Sequence, residues 1–467
     1  MKIALIFPQN QFSCQISTLK AQEKNMGVFP PLSLAYVAAV IEKEEHEVCI
    51  IDNNALHLDN QELIHKIKNF SPDILGFTVT TYTWHETVNC INFLKQKINI
   101  PVILGGHHVS FYPQETISHP AIDYALMGEA HETLPNFLKA LKNQTSFADV
   151  PGLCYKKENK TFINQIPLEE GSADDIPFPA RHLLDNEKYF SFISRRKNFT
   201  AFITTFGCPF KCIFCSVNRT KFRVRSAQNI VEELEQCYHN HHIREFDIYD
   251  ASFSIDKERT LKICQGIKEK KLKIDWSVRT RIDLVDKKLL QTMADAGCYF
   301  SMYGIETLSP EIQKNLKKNI DLKQLRQVLK WTQQAGIQTL GFFMFGSPGE
   351  TISTIEQTIR SSTKLGLDHV QFTRLTPFPN TDLYDSYRLK YHEDYWKNFL
   401  IGKTQPKILP LVGTDLKPEI IEKYIRKAYL SFYLRPLHLL KLFYKIKSMT
   451  QIKKYIRAGL SMLFSLK

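Results

Sequence analysis

The sequence contains no run of about 18 consecutive apolar residues, the length that a membrane-spanning helix requires, and it therefore predicts no membrane span. Cysteine is also scarce: only 10 of the 467 residues are Cys, and seven of these are scattered singly. A disulfide scaffold needs a much higher density. The first residues, MKIALIFPQN, show no secretory signal peptide, because Pro8 stops a short β-like run. These absences predict an intracellular protein of the reducing cytoplasm.

Acidic residues are almost absent from one part of the chain. Residues 421–467 hold eleven Lys or Arg and a single acid, Glu422, so this segment carries most of the formal net charge of +13. The rest of the chain is close to neutral, and the basic character of the whole protein is no argument for a nucleic-acid partner. The length of 467 residues predicts two or three domains.

Residues 1–140 alternate apolar strand-like runs with helical patterns, for example KIALIFP, LSLAYVAAVIEKEEH and EVCIID. This alternation predicts a doubly wound parallel sheet of the Rossmann-like, flavodoxin-like type. The predicted strands are apolar throughout, as a sheet covered on both faces requires. Ligands of such sheets bind outside the carboxyl ends of the strands. Those ends are Pro8–Asn10, Asp52–Asn54, Thr78–Tyr82 and Gly105–Ser110, followed by MGEAHET at 127–133.

The remainder of the chain is predicted to contain three further parts. Residues 141–195 read as a linker that includes a small hairpin, DVPGLCYKKENKTFINQ, and the proline-punctuated DDIPFPARHLL. Residues 196–385 resume the alternation with six strands and five intervening helices, which predicts a partial (β/α)6 barrel of the TIM type. The chemistry of such a barrel lies at the carboxyl ends of its strands. Residues 386–467 are helical, aromatic and basic, and form a C-terminal extension.

Three cysteines, Cys208, Cys212 and Cys215, stand at C-x3-C-x2-C directly after a predicted strand, in FITTFGCPFKCIFCSV. Thiolates at this spacing favour an iron–sulfur cluster, and three ligands on a four-iron cluster leave one iron open to bind another molecule. A structural zinc site would need a fourth ligand. The candidates for it lie at the end of the next predicted helix: His239, His241 and His242. Chance clustering of buried cysteines is the remaining alternative.

At this loop the sequence resembles the radical S-adenosylmethionine enzymes, in which an aromatic residue, here Phe214, precedes the last cysteine. The resemblance covers residues 198–385 through DIYDASF, WSVRTRID, MYGIETLS and FMFGSPGET at successive predicted strand ends. It implies that the three cysteines bind a [4Fe–4S] cluster whose open iron chelates the amino and carboxyl groups of S-adenosylmethionine. An electron from the cluster, which an external donor of the flavodoxin or ferredoxin type reduces, cleaves the sulfonium to give a 5′-deoxyadenosyl radical.

The charges of S-adenosylmethionine indicate which residues at these strand ends would hold it. The cofactor is a cation that favours carboxylates near its ammonium and hydroxyl groups, and a cation near its carboxylate. Glycines allow the backbone to approach the adenine. The candidates are Asp250 and Ser252 for the amino group, Glu306 for the ribose, Arg279 or Arg281 for the carboxylate, and Gly346 and Gly349 for the adenine. The alternative for each charged residue is an ordinary ion pair at the barrel mouth.

The first 140 residues resemble the cobalamin-binding domain that precedes the radical domain in one large subfamily. The matching stretches are PPLSLAYVAAVIEKEEHEVCIID, PDILGFTVTTYTW, PVILGGHHVSFYP and IDYALMGEAHETLPNFL. A corrin with amide side chains and a nucleotide tail needs a neutral, hydroxyl-rich cleft. The residues that the resemblance assigns to this cleft are Thr78, Thr80, Thr81, Gly105, Gly106, His107, Ser110, Gly128 and Glu129.

The motif D-x-H-x-x-G, which supplies an axial histidine in classical cobalamin proteins, is absent from the sequence. His107 and His108 are therefore expected to be loop residues near the nucleotide and not cobalt ligands. The alternative for the whole domain is a degenerate flavodoxin-like fold that binds no ligand.

The segment from Lys427 to Lys467 interleaves aromatic residues and leucines with Lys and Arg at helical spacing, and Pro436 divides it. This composition is typical of membrane-surface helices and predicts peripheral contact with the inner face of the membrane. The alternatives are a helical cap over the barrel mouth and, third, RNA binding, for which no dedicated domain is visible. The FYLRP run resembles the C-terminal region of cobalamin-dependent radical enzymes that act on lipids and tetrapyrroles, including hopanoid methylases and the anaerobic magnesium-protoporphyrin cyclase.

Together these resemblances imply a cobalamin-dependent radical S-adenosylmethionine methyltransferase. One cofactor molecule methylates cobalamin, a second yields the radical that abstracts hydrogen from an unactivated carbon, and that carbon then takes the methyl group. The aromatic, basic tail predicts a hydrophobic or lipid-like small-molecule substrate. Two alternatives stay open: an enzyme with the same cofactors that catalyses cyclisation or oxidation without methyl transfer, and a non-catalytic cobalamin or redox sensor.

Overall fold

The computed structural model describes residues 1–9, 27–166, 171–191, 193–404 and 409–436. These residues form two compact units. The described residues of the first unit fall within the spans 1–14, 28–189 and 394–407, and those of the second within 15–27, 190–393 and 408–467.

The first unit is built on a seven-stranded sheet whose order is β2-β1-β3-β4-β5-β6-β7. The first five strands of the chain are parallel. Their 2-1-3-4-5 order is the doubly wound, flavodoxin-like topology that the sequence predicts, with the switch point between the first and third strands. The strands are β1 (Lys2–Phe7), β2 (Glu47–Asp52), β3 (Ile74–Thr78), β4 (Val102–Gly105), β5 (Tyr124–Leu126), β6 (Leu153–Lys157) and β7 (Lys160–Ile163).

The predicted hairpin is the antiparallel pair β6–β7, and it extends this sheet. β6 pairs antiparallel with β5, so that Ala125 lies opposite Cys154. Leu153, Cys154 and Tyr155 are buried, and Leu153 and Tyr155 belong to the apolar core of this unit, which removes their side chains from water. The segment that the sequence places in a linker therefore supplies the last two strands of the sheet.

Among the described residues of the first unit, seven helices lie before residue 144. Local signals define their ends: at the third helix, Asp59 Oδ1 accepts hydrogen bonds from the amides of Gln61 and Glu62, and Glu62 accepts one from the Asp59 amide at 2.9 Å. This capping box satisfies amides that a helix start leaves without partners. The helices are α1 (Leu32–Lys43), α2 (Asn53–Leu56), α3 (Asn60–Phe70), α4 (Trp84–Lys95), α5 (His107–Phe111), α6 (Pro113–Ser118) and α7 (Ala130–Asn143).

The second unit is built on a six-stranded parallel sheet whose strands follow the order of the chain. This confirms the predicted partial (β/α)6 barrel, in which each strand lies beside its sequence neighbour. The strands are β8 (Phe199–Phe202), β9 (Glu245–Ile248), β10 (Asp275–Thr280), β11 (Cys298–Glu306), β12 (Gln338–Phe345) and β13 (His369–Arg374).

Helices alternate with these strands, and a large apolar core lies between the two layers. Phe246, Trp276, Val278 and Phe343 belong to that core and are almost completely buried. The remaining helices are α8 (Ala227–Asn240), α9 (Lys257–Glu269), α10 (Lys287–Asp295), α11 (Pro310–Asn315), α12 (Leu322–Gln334), α13 (Ile352–Ser362), α14 (Asp382–Tyr391), α15 (Tyr395–Leu400, in the first unit) and α16 (Pro418–Tyr433). Short elements are Gly27–Val28, Phe190–Ser191, Thr205–Phe206 and Arg223–Val224 (strands), and Ala173–Asp175, Arg181–Leu183, Asn186–Lys188, Val217–Arg219, Phe253–Ile255 and Ile282–Leu284 (3₁₀ helices).

Helix α16 covers the edge strand β13 and satisfies part of its backbone. The Tyr429 hydroxyl accepts a hydrogen bond from the Phe372 amide at 3.0 Å and donates one to the Phe372 carbonyl at 3.2 Å. The Tyr433 hydroxyl makes the same pair of hydrogen bonds with Val370, both at 3.2 Å. An open sheet edge leaves backbone groups that pair with other chains, and here two tyrosines occupy them.

The structure bears on part of the basic C-terminal segment. Tyr429 and Phe432 are buried against the barrel core, so this part of the segment packs on the barrel at its edge strand; a cap over the barrel mouth stays a prediction. Residues 437–467, which carry most of the predicted membrane-surface pattern, lie outside the described residues. Among the helices of the described ranges, none is both long and apolar enough to span a membrane.

Replacing Tyr429 by Phe removes the hydroxyl and leaves the buried amide and carbonyl of Phe372 without this partner. We expect the free energy of unfolding to fall by about 1–3 kcal/mol, because buried backbone groups lose their hydrogen bonds. Tyr424→Phe on the same helix is the matched control: its hydroxyl lies 3.4 Å from Glu356 at the surface, and its loss should change stability by less than about 0.5 kcal/mol. Equal effects of the two variants in urea titrations would contradict the role of Tyr429.

Candidate functional site

The second unit's strands turn alternate side chains to the two faces of the sheet. One face forms the core with the helices, and we call the opposite face the inner face. Its residues on β9 to β13 include Asp247, Ser277, Arg279, Met302, Gly304, Glu306, Leu340, Phe342, Met344, Gln371 and Thr373. The inner face is charged on β9 and β10 and apolar at Met302 on β11 and along β12, while Glu306 adds a charge at the end of β11.

The cysteine loop begins where β8 ends, as the sequence predicts. Thr205–Phe206 pairs antiparallel with Arg223–Val224, and Gly207 follows with φ = +69°. A Cβ at Gly207 would lie 2.4 Å from the Lys221 carbonyl oxygen, so a larger residue does not fit there. This turn directs the chain into Cys208.

The three cysteines lie within electrostatic range of one another. Burial raises the pKa of each thiol. A neighbouring cysteine also raises each pKa: Cys212 that of Cys208, Cys215 that of Cys212, and Cys208 that of Cys215. The ammonium of Lys318 acts on all three in the opposite direction, since a nearby cation favours the thiolate. Arg281 acts in the same way on Cys208 and Cys212.

This donor set fits an iron–sulfur cluster better than a single metal ion. Within the described ranges no group of three or more His, Cys, Asp or Glu side chains converges closely enough to hold one ion. A cluster binds each thiolate at a different iron. The three sulfurs therefore need to be near one another but do not need to point at one metal ion. The neighbouring cations would compensate the negative charge of the thiolates. Three thiols in electrostatic range of one another, with two cations beside them, therefore fit an iron–sulfur cluster.

Lys318 also pairs with Glu306 at the inner face. Their Nζ and Oε1 atoms are 3.1 Å apart, and both side chains are buried. Gly304 makes room for the pair, because a Cβ there would lie 2.6 Å from Glu306 Oε1 and 2.8 Å from Lys318 Nζ. Glu306 itself has φ = +67°, and this strained conformation turns its carboxylate back over β11. Its assignment to the ribose stays a prediction.

The two arginine candidates for the cofactor carboxylate are both engaged. Arg279 binds Asp247 with two hydrogen bonds of 2.8 and 3.2 Å and donates to the Ile248 carbonyl at 3.0 Å. Arg281 binds Asp283 with two hydrogen bonds of 2.9 and 2.8 Å, and its guanidinium lies 3.9 Å from the ring centre of Phe210 in the cysteine loop. Arg281 is thus brought to the cluster loop, whereas Arg279 is held by Asp247.

The two candidates for the amino group face other protein groups. Asp250 is buried and accepts hydrogen bonds from the amides of Thr204 and Thr205, at 2.7 and 3.0 Å, and from the Thr204 hydroxyl. The Ser252 hydroxyl lies 3.4 Å from that of Thr280. Burial raises the pKa of Asp250, and the hydrogen bonds from Thr204 oppose this. Contact of Asp250 or Ser252 with the cofactor stays a prediction.

The two glycines after β12 are required by the loop itself. Gly346 and Gly349 have φ values of +95° and +79°, and a Cβ would lie 2.8 Å from Leu411 and 2.6 Å from Asn315, respectively. The buried Glu350 accepts hydrogen bonds from the amides of Gly346 at 2.5 Å and Ser347 at 3.1 Å. Burial raises the pKa of Glu350 to about 7. The approach of this loop to an adenine stays a prediction.

In the first unit, the predicted cobalamin residues lie at the carboxyl ends of β3, β4 and β5. Gly106 has φ = +108°, and a Cβ there would lie 2.7 Å from the Val79 carbonyl and 3.1 Å from Thr78 Oγ1. A Cβ at Gly105 would have no atom within 4 Å. The sheet edge is therefore open at Gly105, as the approach of a bulky ligand to the backbone requires.

The hydroxyl groups and carboxylate of this edge have neighbours of their own. Thr80 Oγ1 lies 3.1 Å from Thr83 Oγ1, and the Ser110 hydroxyl accepts a hydrogen bond of 3.4 Å from the Gly128 amide. Glu129 lies 3.3 Å from His131 Nδ1. The contacts connect the loops after β4 and β5, and ligand binding by these residues stays a prediction.

The two adjacent histidines differ in position. His107 is exposed and stacks on Phe111, whereas His108 is completely buried, packs on Trp84 and lies 3.2 Å from the Thr81 hydroxyl. Burial lowers the pKa of His108 to about 3, so it is neutral at physiological pH. The Thr81 hydroxyl therefore contacts a buried side chain in the interior of the domain.

Sequence reasoning missed several residues of this site. Lys318 lies twelve positions after Glu306 and carries no motif of its own. Glu350 is the second-last residue of the quoted FMFGSPGET run. The glycine-rich loop before it has backbone amides that need acceptors, and this was a signal for a buried acceptor nearby. Thr204 and Arg259 belong to no metal-ligand or catalytic pattern and become visible through their hydrogen bonds alone.

The pKa of Glu350 predicts a pH-dependent stability. A carboxyl whose pKa rises on folding, here from 4.5 to about 7, stabilises the fold fully below pH 4.5, and this contribution is lost as the pH rises through about 7. The full difference is about 3 kcal/mol. In Glu350→Gln the unfolding free energy, relative to wild type, should therefore increase between pH 4.5 and 8. A pH-independent difference in chemical denaturation would contradict this.

The open space at Gly105 predicts a graded effect of side-chain size on cobalamin binding. Gly105→Leu would occupy the space and should abolish binding of hydroxocobalamin in spectroscopic titrations, because a bulky ligand can no longer reach the backbone. Gly105→Ala, the smaller control, should weaken it only slightly. Both variants should keep the iron content of the second unit. Wild-type affinity of Gly105→Leu would place the ligand elsewhere.

Two family models match the sequence. The B12 binding domain matches residues 24–138, and the radical SAM superfamily matches residues 202–362. The first match covers β2 to β5 with the predicted cobalamin residues, and the second covers the cysteine loop and β9 to β12. These matches confirm the predicted cofactors at the level of the two domain types.

Similar proteins support the same assignment. An uncharacterized methyltransferase of Pyrococcus horikoshii is 34% identical over 447 residues, which cover 94% of each chain. The anaerobic magnesium-protoporphyrin IX monomethyl ester cyclase of Rubrivivax gelatinosus is 27% identical, over 77% of this chain and 66% of the relative. The radical S-adenosylmethionine methyltransferase TsrM of Kitasatospora setae, solved with cobalamin and a [4Fe–4S] cluster, has the same fold, with a TM-score of 0.67, 18% identity, and coverage of 83% and 78%.

These findings confirm both the predicted fold class and the predicted type of enzyme. The sheet orders of the two units, the cysteine loop and the relative from Pyrococcus horikoshii all agree. The chain belongs to the cobalamin-dependent radical S-adenosylmethionine enzymes, and the methyltransferases of that family are its relatives.

Proposed function

We propose that the protein methylates an unactivated carbon of a small, largely apolar substrate that lies against the inner face of the second unit's sheet. When bound, the cluster, S-adenosylmethionine and cobalamin supply the radical and the methyl group. The residues of the chain bind and orient the substrate and exclude water.

The observation that carries the proposal is an apolar strip on the inner face. Met302 on β11 lies beside Leu340 on β12, and Phe342 and Met344 follow Leu340 on the same face. Leu340, Phe342 and Met344 are partly exposed, although their neighbours on the opposite face are buried. Side chains of this kind would contribute about 25 cal/mol per Å² of apolar substrate surface that they cover.

One polar group borders this strip. Gln371 on β13 lies directly beside Phe342, is partly exposed, and its carboxamide has no hydrogen-bond partner among the described residues. A carboxamide both donates and accepts hydrogen bonds. Gln371 would thus orient a single polar group of an otherwise apolar substrate, and this supports a substrate with one hydroxyl, carbonyl or amide group.

The apolar strip also favours radical chemistry. A carbon radical on the substrate must meet no other hydrogen donor before it takes up the methyl group, and closely packed apolar side chains exclude water and competing groups. The strip continues to Gly304 and the Glu306–Lys318 pair. The charge of Lys318 acts on the thiol of Cys212, so this pair lies near the cysteine loop. Substrate and cluster would therefore be close to each other along β11 and β12.

The electron donor and the location of the protein are also part of the proposal. We infer an external donor of the flavodoxin or ferredoxin type, as the family resemblance implies. We base the cytoplasmic location on the sparse, scattered cysteines, and the peripheral membrane contact on the composition of residues 427–467. An apolar substrate in the membrane agrees with that contact.

Methyl transfer is tested with S-adenosylmethionine that carries a deuterated methyl group. The anaerobically reconstituted protein, with cobalamin and a chemical reductant, is incubated with a lipid extract and with a polar metabolite extract of the source cells. We expect a product with the mass of one added labelled methyl group in the lipid extract, together with 5′-deoxyadenosine. Serine at Cys208, Cys212 and Cys215 should abolish both, whereas Cys90→Ser, outside the loop, should retain them.

Other outcomes would favour the alternatives. Formation of 5′-deoxyadenosine with a product that lacks the label would indicate cyclisation or oxidation, which the relative named as a cyclase makes a specific second candidate. A labelled product found only in the polar extract would contradict an apolar substrate. Absence of 5′-deoxyadenosine from a fully loaded protein would favour a sensor.

A further inference from the structure

Four charged side chains are buried immediately behind the segment that leads into the cysteine loop. Two are acids and two are arginines, and each has at most 5% of its surface exposed: Asp250 1%, Glu233 0%, Arg225 2% and Arg259 5%. We call this set the ionic cluster. Its members come from α8, α9, the end of β9 and the residue before α8's cap, so that distant parts of the sequence meet at one point.

Asp250 holds the backbone of Thr204 and Thr205. One carboxylate oxygen accepts both amides, at 2.7 and 3.0 Å, and the other accepts the Thr204 hydroxyl. Three hydrogen bonds from two adjacent residues leave the carboxylate no freedom to rotate. They fix the conformation of the chain three to four residues before Cys208.

Arg259 holds the same residue from the other side. Its Nη1 donates to the Thr204 carbonyl at 3.0 Å and lies 3.2 Å from the Thr204 hydroxyl. Its Nη2 donates to the Phe253 carbonyl at 3.0 Å. Thr204 is therefore bound through its amide, carbonyl and hydroxyl groups, although it carries no chemistry of its own.

Arg225 and Glu233 complete the set. The Arg225 amide donates to the Thr204 carbonyl at 3.1 Å, and its guanidinium donates to the Ile203 carbonyl at 2.8 Å. Its Nη2 lies 2.5 Å from the carboxylate of Glu233. Glu233 balances the second positive charge, so that the ionic cluster is neutral as a whole.

Stability alone does not explain four buried charges. Taking ions out of water costs several kcal/mol each, and replacing a buried ionic set by apolar side chains is often neutral or stabilising. What such a set provides is a unique geometry, because each bond has a direction. Here the bonds converge on Ile203, Thr204 and Thr205, and the strand pair at 205–206 with the turn at Gly207 transmits that geometry to Cys208.

We propose that the ionic cluster is a positioning element that fixes the direction in which the chain leaves β8, and with it the place of Cys208 relative to Cys212 and Cys215. Asp250 then acts through Thr204 on the cysteine loop, and S-adenosylmethionine does not need its carboxylate. Asp250, Arg259, Arg225, Glu233 and Thr204 are positioning residues of this enzyme.

The test compares three threonine variants and one acid variant of the full chain. Thr204→Val removes the hydroxyl at constant size, Thr204→Ser retains it, and Asp250→Asn removes the charge. Thr260→Val is the matched control, since Thr260 is a completely buried threonine next to Arg259 whose hydroxyl donates to the carbonyl of Asp256, the residue before α9, at 2.8 Å. Amide hydrogen exchange of residues 203–216 is measured on the apo-protein. Iron and sulfide content and the electron paramagnetic resonance spectrum, with and without S-adenosylmethionine, are measured after reconstitution.

Thr204→Val and Asp250→Asn should both speed exchange in residues 203–216 by about tenfold, as expected for loss of a buried hydrogen bond. Both should lose at least about half of the cluster iron and broaden its spectrum. Thr204→Ser and Thr260→Val should match wild type. The same exchange and iron content in Thr204→Val as in wild type would overturn the proposal. So would an Asp250→Asn variant with normal exchange and iron that fails only to respond to S-adenosylmethionine, which would return Asp250 to the cofactor. If Thr204→Val does not fold, the test rests on the other two variants. Wild-type exchange and iron content in both Thr204→Ser and Asp250→Asn would then overturn the proposal.

Discussion

Parallel strand pairing is the constraint on which the rest of the structure depends. Parallel neighbours need a crossover between them, and their carboxyl ends therefore meet at one edge although they lie far apart in the sequence. In the first unit this brings Thr78, Gly105 and Gly128 to the same edge. In the second unit it brings the cysteine loop after β8, Asp250 after β9 and Glu306 at the end of β11 to one side of the sheet.

The charged groups at that edge divide into two kinds. Glu306, Lys318 and Arg281 act close to the cysteines, because the charges of the two cations reach the thiols. Asp250 and Arg259 lie behind the loop and bind Thr204. The first kind affects the electrostatic potential at a cluster, and the second determines where its ligands stand. Both sets of charged residues have partners because a buried charge without a partner is costly in free energy.

Much of the fold was predictable from the pattern of apolar residues. The six barrel strands and the five strands of the doubly wound sheet follow from runs such as TLGFFMF and PVILG, because a strand covered on one or both faces must be apolar at fixed positions. The pairing of β6 with β5 was not predictable, since neither the strand YAL nor the hairpin strand LCYKK carries a signal that identifies its neighbour. The sequence also did not predict that Tyr429 and Tyr433 bind the edge of β13, because their spacing is equally typical of a membrane-surface helix.

The sequence by itself determined the chemistry: three thiols at C-x3-C-x2-C after a strand can hold a cluster with an open iron, because the spacing is local. Only the tertiary structure decided which charges serve that chemistry. Asp250 and Lys318 differ in role because one is bound to Thr204 and the other faces the cysteines, and contacts between residues distant in the chain depend on how the strands are arranged, which no local pattern encodes.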